Sequence, residues 1–163
     1  MKMKINTPIG ELWLDADQNG LTKVSFHPIE EMAVNGAQDQ GKKQEILLET
    51  ERQLAEYFEG NRQDFQLPLS INTGTIFQQK VWQALQEIPY GEIRTYKKIA
   101  ETIDHPKAVR AIGQANRMNP LPIVIPCHRV IGQNGQLTGY MVNAEAGLLI
   151  KRQLLVLEKA LSE

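Results

Sequence analysis

A cysteine, a histidine and an arginine follow one another at Cys127, His128 and Arg129, inside the run "LPIVIPCHRVIGQNG" at residues 121–135. Cys127 is the only cysteine of the 163-residue chain. Two readings stand open on the residues alone. A lone cysteine flanked by apolar residues and proline is most simply a small packed hydrophobe. Alternatively it is a nucleophile placed beside its own base. An ordinary thiol, with a pKa of about 8.5, is only a few per cent thiolate at neutral pH, so positive potential from His128 and Arg129 would raise its reactivity. Pro126 interrupts regular backbone just before the cysteine and puts it at the end of an element.

Other chemistries have little support. The three histidines, His27, His105 and His128, show no ligand spacing with the one cysteine, and no glycine-rich phosphate loop is present. No metal site and no cofactor are expected. A single cysteine forms no internal disulfide, the N-terminus "MKMKINTPIGELWLDADQNG" has no apolar signal core, and no run approaches the roughly 20 apolar residues that span a bilayer. The expectation is a cytoplasmic protein without membrane contact, and nothing suggests more than a monomer. The formal net charge is −1, yet the stretch from Glu92 to Arg129 is basic. There Arg94, Lys97, Lys98, Lys107, Arg110, Arg117 and Arg129 stand against Glu92, Glu101 and Asp104. A basic face on a weakly acidic body is compatible with nucleic acid without establishing it.

The elements that must position these residues fall into two parts. The first is read as strands: "MKMKIN" alternates, and "ELWLDADQNGLTKVSFH" holds two apolar runs around Asn19-Gly20, a dipeptide suited to a type I′ hairpin turn. Residues 28–43 lack periodicity and are expected to be a loop. Residues 44–59 take helical period through Leu47, Leu54, Tyr57 and Phe58, with Gly60 at the C-cap. A domain boundary is placed near residue 70, giving an α/β domain over 1–70 and a mainly helical domain over 71–163.

In the second part, "FQQKVWQALQEI" puts Phe77, Val81, Trp82 and Leu85 on one face and stops at Pro89. "TYKKIAETI" begins with Thr95 as N-cap, and Pro106 suits the first turn of a further helix, "PKAVRAIGQANR". These two helices form a helix-turn-helix candidate, with Lys97 and Lys98 on the first and Lys107, Arg110 and Arg117 expected on the second. From charge alone, a solvated basic face is the better explanation of them. A closing amphipathic helix is expected over 147–160.

"IPCHRVIG", preceded by "RAIGQANRMNPLP" and "FQQKVWQALQEIPYGEIRTYKKIA", resembles the O6-alkylguanine-DNA alkyltransferases, the methylated-DNA–protein-cysteine methyltransferases. The match is close over roughly residues 50–140 and looser over the N-terminal strands. It implies a small ribonuclease-H-like α/β domain followed by a helical domain with a helix-turn-helix. The implied activity is single-turnover repair of O6-alkylguanine in double-stranded DNA after base flipping, with O4-alkylthymine left open as a further substrate. Carried over residue by residue, Cys127 is the alkyl acceptor, and His128 is the base acting on it through a bridging water. Glu158 is the acid that orients His128, and Tyr96 is the proton donor to guanine N3. Arg110 is the finger that fills the vacated stack. Asn119 is the hinge asparagine, and Pro122, Val130 and Tyr140 line the base and alkyl pocket. The resemblance also puts Thr95, Tyr96, Lys107, Ala108 and Arg117 at the DNA. It sets the second helix in the minor groove, where the small residues Ala108, Ala111, Gly113 and Ala115 would permit close approach.

The sequence departs from the family's pattern after Tyr140. "MVNAEAG", residues 141–147, is about four residues longer than the small residue and two glycines usual there, and it offers Glu145 as a lesser alternative to Glu158. The alternative function is therefore a non-catalytic or slow alkyltransferase-like protein that binds DNA lesions, although such proteins lack the reactive cysteine. A Cys-His hydrolase would need an oxyanion hole that the sequence does not signal. A regulatory alkylation sensor would need an additional N-terminal cysteine cluster.

Overall fold

A computed structural model describes residues 2–30, 40–137 and 144–162. The chain separates into two compact units, Met1–Asn72 and Thr73–Glu163.

The first unit is a three-stranded antiparallel meander, β1 (Lys2–Thr7), β2 (Gly10–Asp17) and β3 (Gly20–Ser25), with helix α1 (Gln40–Phe58) packed on it. Strand alternation turns Leu12, Leu14 and Ala16 of β2 inward. The helix answers with Ile46, Leu47, Thr50, Gln53, Leu54 and Tyr57 at helical spacing. Gly60, at φ +81°, ends α1 in a left-handed cap, with the Gly60 N–H donating to the Tyr57 carbonyl and the Asn61 N–H to that of Glu56.

Two expectations change here. Asp17 pairs with Gly20, so the loop is Gln18-Asn19, and neither residue has the positive φ that a type I′ turn demands. The Asp17 carboxylate accepts the Asn19 and Gly20 N–H groups instead and shapes the turn. Gly20 is required for another reason: a Cβ there would lie 2.5 Å from the Pro68 carbonyl oxygen. That close approach is fixed by the Leu21 N–H bonded to the Pro68 carbonyl and the Ser70 N–H bonded to that of Leu21. Secondly, α1 starts at Gln40 rather than 44, because its first turn faces solvent and leaves no apolar period in the sequence.

The second unit comprises α2 (Ile76–Gln86), β4 (Arg94–Thr95), α3 (Tyr96–Thr102), α4 (Val109–Arg117), a single 3-10 turn at Cys127–Arg129, β5 (Val130–Ile131) and α5 (Ala144–Leu157). Thr75 and Gln78 close a capping box at the start of α2. Trp82 is buried and donates its indole N–H to the Ala115 carbonyl at 2.8 Å, tying α2 to α4. Thr95 caps α3 by accepting the Lys98 N–H. Strands β4 and β5 pair in parallel, Arg94 with Val130 and Thr95 with Ile131. That pairing brings the start of α3 beside the segment that carries Cys127. The fold is thus an α/β unit followed by a mainly helical one with two short helices joined by a tight turn.

Three boundaries differ from the sequence reading. The α3–α4 connection runs through Asp104 at φ +62°, and Pro106 and Lys107 lie in it rather than in a helix. Ala108 is the N-cap of α4, so Lys107 precedes the helix it was expected to occupy. The closing helix runs from 144 to 157, which leaves Glu158 just beyond its last residue instead of inside it. Among the described residues no helix is long and apolar enough to cross a membrane.

Candidate active site

The 3-10 turn is short because Pro126 precedes it and β5 follows it. The Arg129 N–H donates to the Pro126 carbonyl, and the Cys127 N–H to that of Ile125 at 2.8 Å. All three side chains point inward: Cys127 and His128 have no exposed surface, and Arg129 is 5% exposed.

Burying two basic side chains calls for an anion, and Glu158 supplies it. Its carboxylate lies 2.7 Å from His128 Nε2 and takes a two-pronged contact from Arg129, Nε to Oε1 at 2.8 Å and Nη2 to Oε2 at 3.0 Å. The third guanidinium nitrogen donates to the Ile88 carbonyl at 2.6 Å. Burial works to raise the Glu158 carboxyl pKa, but the His128 hydrogen bond and the Arg129 guanidinium outweigh it and hold it at about 2. Burial pushes His128 the other way, below the usual histidine range, against the pull of Glu158. The resulting state is a neutral imidazole beside a carboxylate that can only accept. Nε2 therefore carries the proton, and Nδ1 is left as a buried lone pair with no hydrogen-bond partner. That tautomer is the one a base needs.

The segment before the turn is held by two asparagines on the inner face of α4 and just past it. Asn119 donates to the Ile125 carbonyl at 2.8 Å and accepts the Leu121 N–H at 2.9 Å. Between these points Ile123 sits at φ +76°, a conformation costly for a β-branched residue, and its side chain is buried. Asn116, also buried, donates to the carbonyl of Cys127 itself at 3.2 Å. The sequence reading missed Asn116. Its signal was the spacing of Ile112, Ala115, Asn116 and Asn119, an apolar stripe interrupted by two amides.

Lys151 was missed as well. It is fully buried on α5, and Nζ lies 3.5 Å from the Tyr96 hydroxyl and 5.7 Å from the centre of its ring. Burial lowers its pKa to about 8, while the charge of Cys127 acts to raise it. Lys151, Leu154, Leu155 and Glu158 form one buried face at helical spacing, so a lysine on an apolar stripe was the available clue.

Of the remaining expected site residues, Pro122 and Val130 are buried on either side of the turn. Arg110 and Arg117 are exposed on α4, Lys107 is exposed in the connection, and Ala108 is half-buried. Ala111 faces solvent, and a Cβ on Gly113 would meet nothing within 4 Å. Ala115 is turned into the core, so it does not belong to an outward small-residue face. Tyr140 and residues 141–143 lie outside the described residues, as does the Glu145 side chain, while 144–147 are not a loop but the first turn of α5. No group of three or more His, Cys, Asp or Glu residues able to hold a metal occurs among the described residues.

Family models match both units of the chain. Residues 76–160 match the DNA-binding domain of 6-O-methylguanine DNA methyltransferase, and residues 1–71 match its ribonuclease-like domain. The constitutive methylated-DNA–protein-cysteine methyltransferase of Bacillus subtilis is 49% identical over 82% of each chain. The methylated-DNA–protein-cysteine methyltransferase of Methanosarcina acetivorans is 47% identical over 93% of this chain and 94% of its own. Among solved structures, Mycobacterium tuberculosis OGT in complex with DNA superposes with a TM-score of 0.79 at 41% identity, covering 98% of this chain and 92% of that one.

Proposed function

Since this chain belongs to the 6-O-methylguanine DNA methyltransferase family, we propose that it repairs O6-alkylguanine in double-stranded DNA by moving the alkyl group irreversibly onto Cys127. The observation that carries the reading is the buried network beside the only cysteine: a neutral His128, oriented by Glu158, which Arg129 anchors in turn. Its Nδ1 lone pair is suited to take the thiol proton of Cys127 through a bridging water.

The thiolate then attacks the alkyl carbon in line. The C–O6 bond breaks with its electron pair passing to guanine, and Tyr96 protonates the departing base at N3. The product is a thioether. Nothing among the described side chains is suited to removing an alkyl group from sulfur, so each molecule acts once.

A sulfur with no exposed surface reacts only with a group inserted into the protein. The target nucleotide must therefore leave the helix, at a cost of a few kcal/mol. Arg110, exposed on α4, offsets part of that cost by filling the vacated stack, with α4 in the minor groove. Lys107 and Arg117 meet phosphates together with the α3 start at Thr95 and Tyr96, and Ala108 lets the backbone approach. Pro122, Val130, Asn119 and Tyr140 shape the pocket for base and alkyl group. Every side chain invoked comes from one copy of the chain, so the reading requires only a monomer. It also places the boundary between the α/β and helical domains near residue 70.

Substrate form tests the reading. Arg110→Ala is expected to slow transfer from O6-methylguanine in duplex DNA at least tenfold, while leaving reaction with O6-benzylguanine as a lone base within about twofold. Equal losses on both substrates would contradict the flipping role.

A further inference from the structure

Among the described residues two buried side-chain atoms have no hydrogen-bond partner, His128 Nδ1 and Asn116 Oδ1, and both stand beside Cys127. The steps above use the first and leave the second idle. We propose that Asn116 is a positioning residue for removal of the Cys127 proton: its Oδ1 and His128 Nδ1 are the two acceptors of one water, which Asn116 thereby holds at the sulfur. This rests on the alkyl-transfer reading and adds to it the group that fixes the bridging water.

Connectivity brings the two acceptors together. Asn116 Nδ2 donates to the Cys127 carbonyl at 3.2 Å, and that carbonyl belongs to the peptide joining Cys127 to His128. Oδ1 therefore approaches this peptide from α4, and the imidazole extends from the peptide's other end. The amide cannot be turned over, because Oδ1 would then face the Cys127 carbonyl oxygen, acceptor against acceptor. Asn116 is 1% exposed and His128 has no exposed surface, so neither atom reaches bulk solvent. Buried acceptors in folded proteins are met by a donor with few exceptions, and a buried water commonly serves several such atoms at once. Neighbouring protein donors are already committed: the Leu121 N–H to Asn119, the Arg129 guanidinium to Glu158 and Ile88, and the Trp82 indole to Ala115. A water has two hydrogens to give and lone pairs to receive the thiol proton.

The proton balance closes. At rest the water donates one hydrogen to Nδ1 and the other to Oδ1, and accepts the S–H of Cys127. On transfer the S–H bond breaks with its electron pair left on sulfur, and the proton joins the water oxygen. The water hydrogen facing Nδ1 moves onto that lone pair. Thiolate, water and imidazolium replace thiol, water and imidazole, and the total charge is unchanged. The hydrogen held by Asn116 does not move. A water bonded to His128 alone is free to turn about that bond, and the second bond removes this freedom. The other titratable groups around the turn are Lys151 from α5 with Tyr96 of α3 beyond it, and the Glu158–Arg129 pair with Tyr90 against the guanidinium. Exchanging Asn116 for another neutral side chain leaves all of these in place.

Two measurements test the proposal. A crystal structure of the wild type should show one water within hydrogen-bonding distance of both Asn116 Oδ1 and His128 Nδ1. No water there, or separate waters on the two atoms, overturns it. Single-turnover rates of the full chain and of Asn116→Leu are then compared from about pH 6 to about pH 9, on an O6-methylguanine duplex and on O6-benzylguanine as a lone base. Asn116→Leu should be about tenfold slower near neutral pH, by the same factor on both substrates, because the water serves either. The deficit should shrink to about threefold or less near pH 9, where solvent removes the thiol proton unaided and only the lost bond to the Cys127 carbonyl is felt. A deficit equal at every pH marks a displaced cysteine rather than a lost water and overturns the proposal, as does an unslowed variant. If Asn116→Leu does not fold, the wild-type water decides alone. A wild type that is alkylated by neither substrate overturns the alkyl-transfer reading instead.

Discussion

His128 and Glu158 lie thirty positions apart and meet at 2.7 Å with no exposed surface between them, so their protonation is bound to folding. Both have folded-state pKa values below their unfolded ones. For each, the stabilising contribution is complete above the unfolded pKa and is lost as pH falls toward the folded one. His128 should therefore begin to cost stability below about pH 6.5, and Glu158 below 4.5, continuing toward about 2. The Glu158 share is on the order of 3 kcal/mol. Thermal melts from pH 7 to pH 3 should show a progressive fall, with its lower portion reduced in Glu158→Gln. A melting temperature independent of pH over that range would contradict the ionised, buried pair. At this scale the resemblance named Cys127, His128, Glu158, Tyr96 and Asn119, and the fold sets His128 against Glu158 and Asn119 against the segment before Cys127. Lys151 and Asn116 were not named, because a lysine or an asparagine gains significance there from being buried, and burial is a property of the packed helix.

Among the elements, the segment from Asn119 to Pro126 does the most with the least regular structure. Ile123 is held at positive φ, and the Asn119 amide bonds on both sides of it keep the chain there. Asn119→Ala would orphan the Ile125 carbonyl and the Leu121 N–H in a buried setting, at about 1–3 kcal/mol. It should also release the positioning of Cys127, so that alkyl transfer slows by more than the loss of folded protein accounts for. Denaturant unfolding and single-turnover rates on the same variant separate the two, and an unchanged rate would deny Asn119 its hinge role. The element boundaries show where pattern reading stops. The first turn of α1 and the start of α5 were missed because they carry no apolar period, and the β2–β3 turn was misplaced by one residue. There the asparagine-glycine pair suggested a type I′ turn, whereas Gly20 is a glycine to clear the Pro68 carbonyl.

At the scale of the molecule, the charge distribution and the site belong to the same stretch of chain. Net charge is −1, yet exposed Lys107, Arg110 and Arg117 stand on or next to α4, whose inner face holds the cysteine turn through Asn116. One helix thus presents cations outward and the Asn116 amide inward, which would set the proposed DNA contact and the nucleophile on opposite sides of a single element. The order of strands and helices was readable from periodicity and turn residues. The parallel β4–β5 pairing, two residues long, was not, since so short a ladder leaves no pattern, and it is what sets Tyr96 beside the turn. The central claim is that Cys127 itself becomes the product. The most direct measurement is the intact mass of the protein, followed by peptide mapping, after incubation with excess duplex carrying one O6-methylguanine. The account predicts one methyl group per chain, located on Cys127 and absent from Cys127→Ala, with no further gain over time. An unchanged mass, or a methyl group on any other residue, would contradict it.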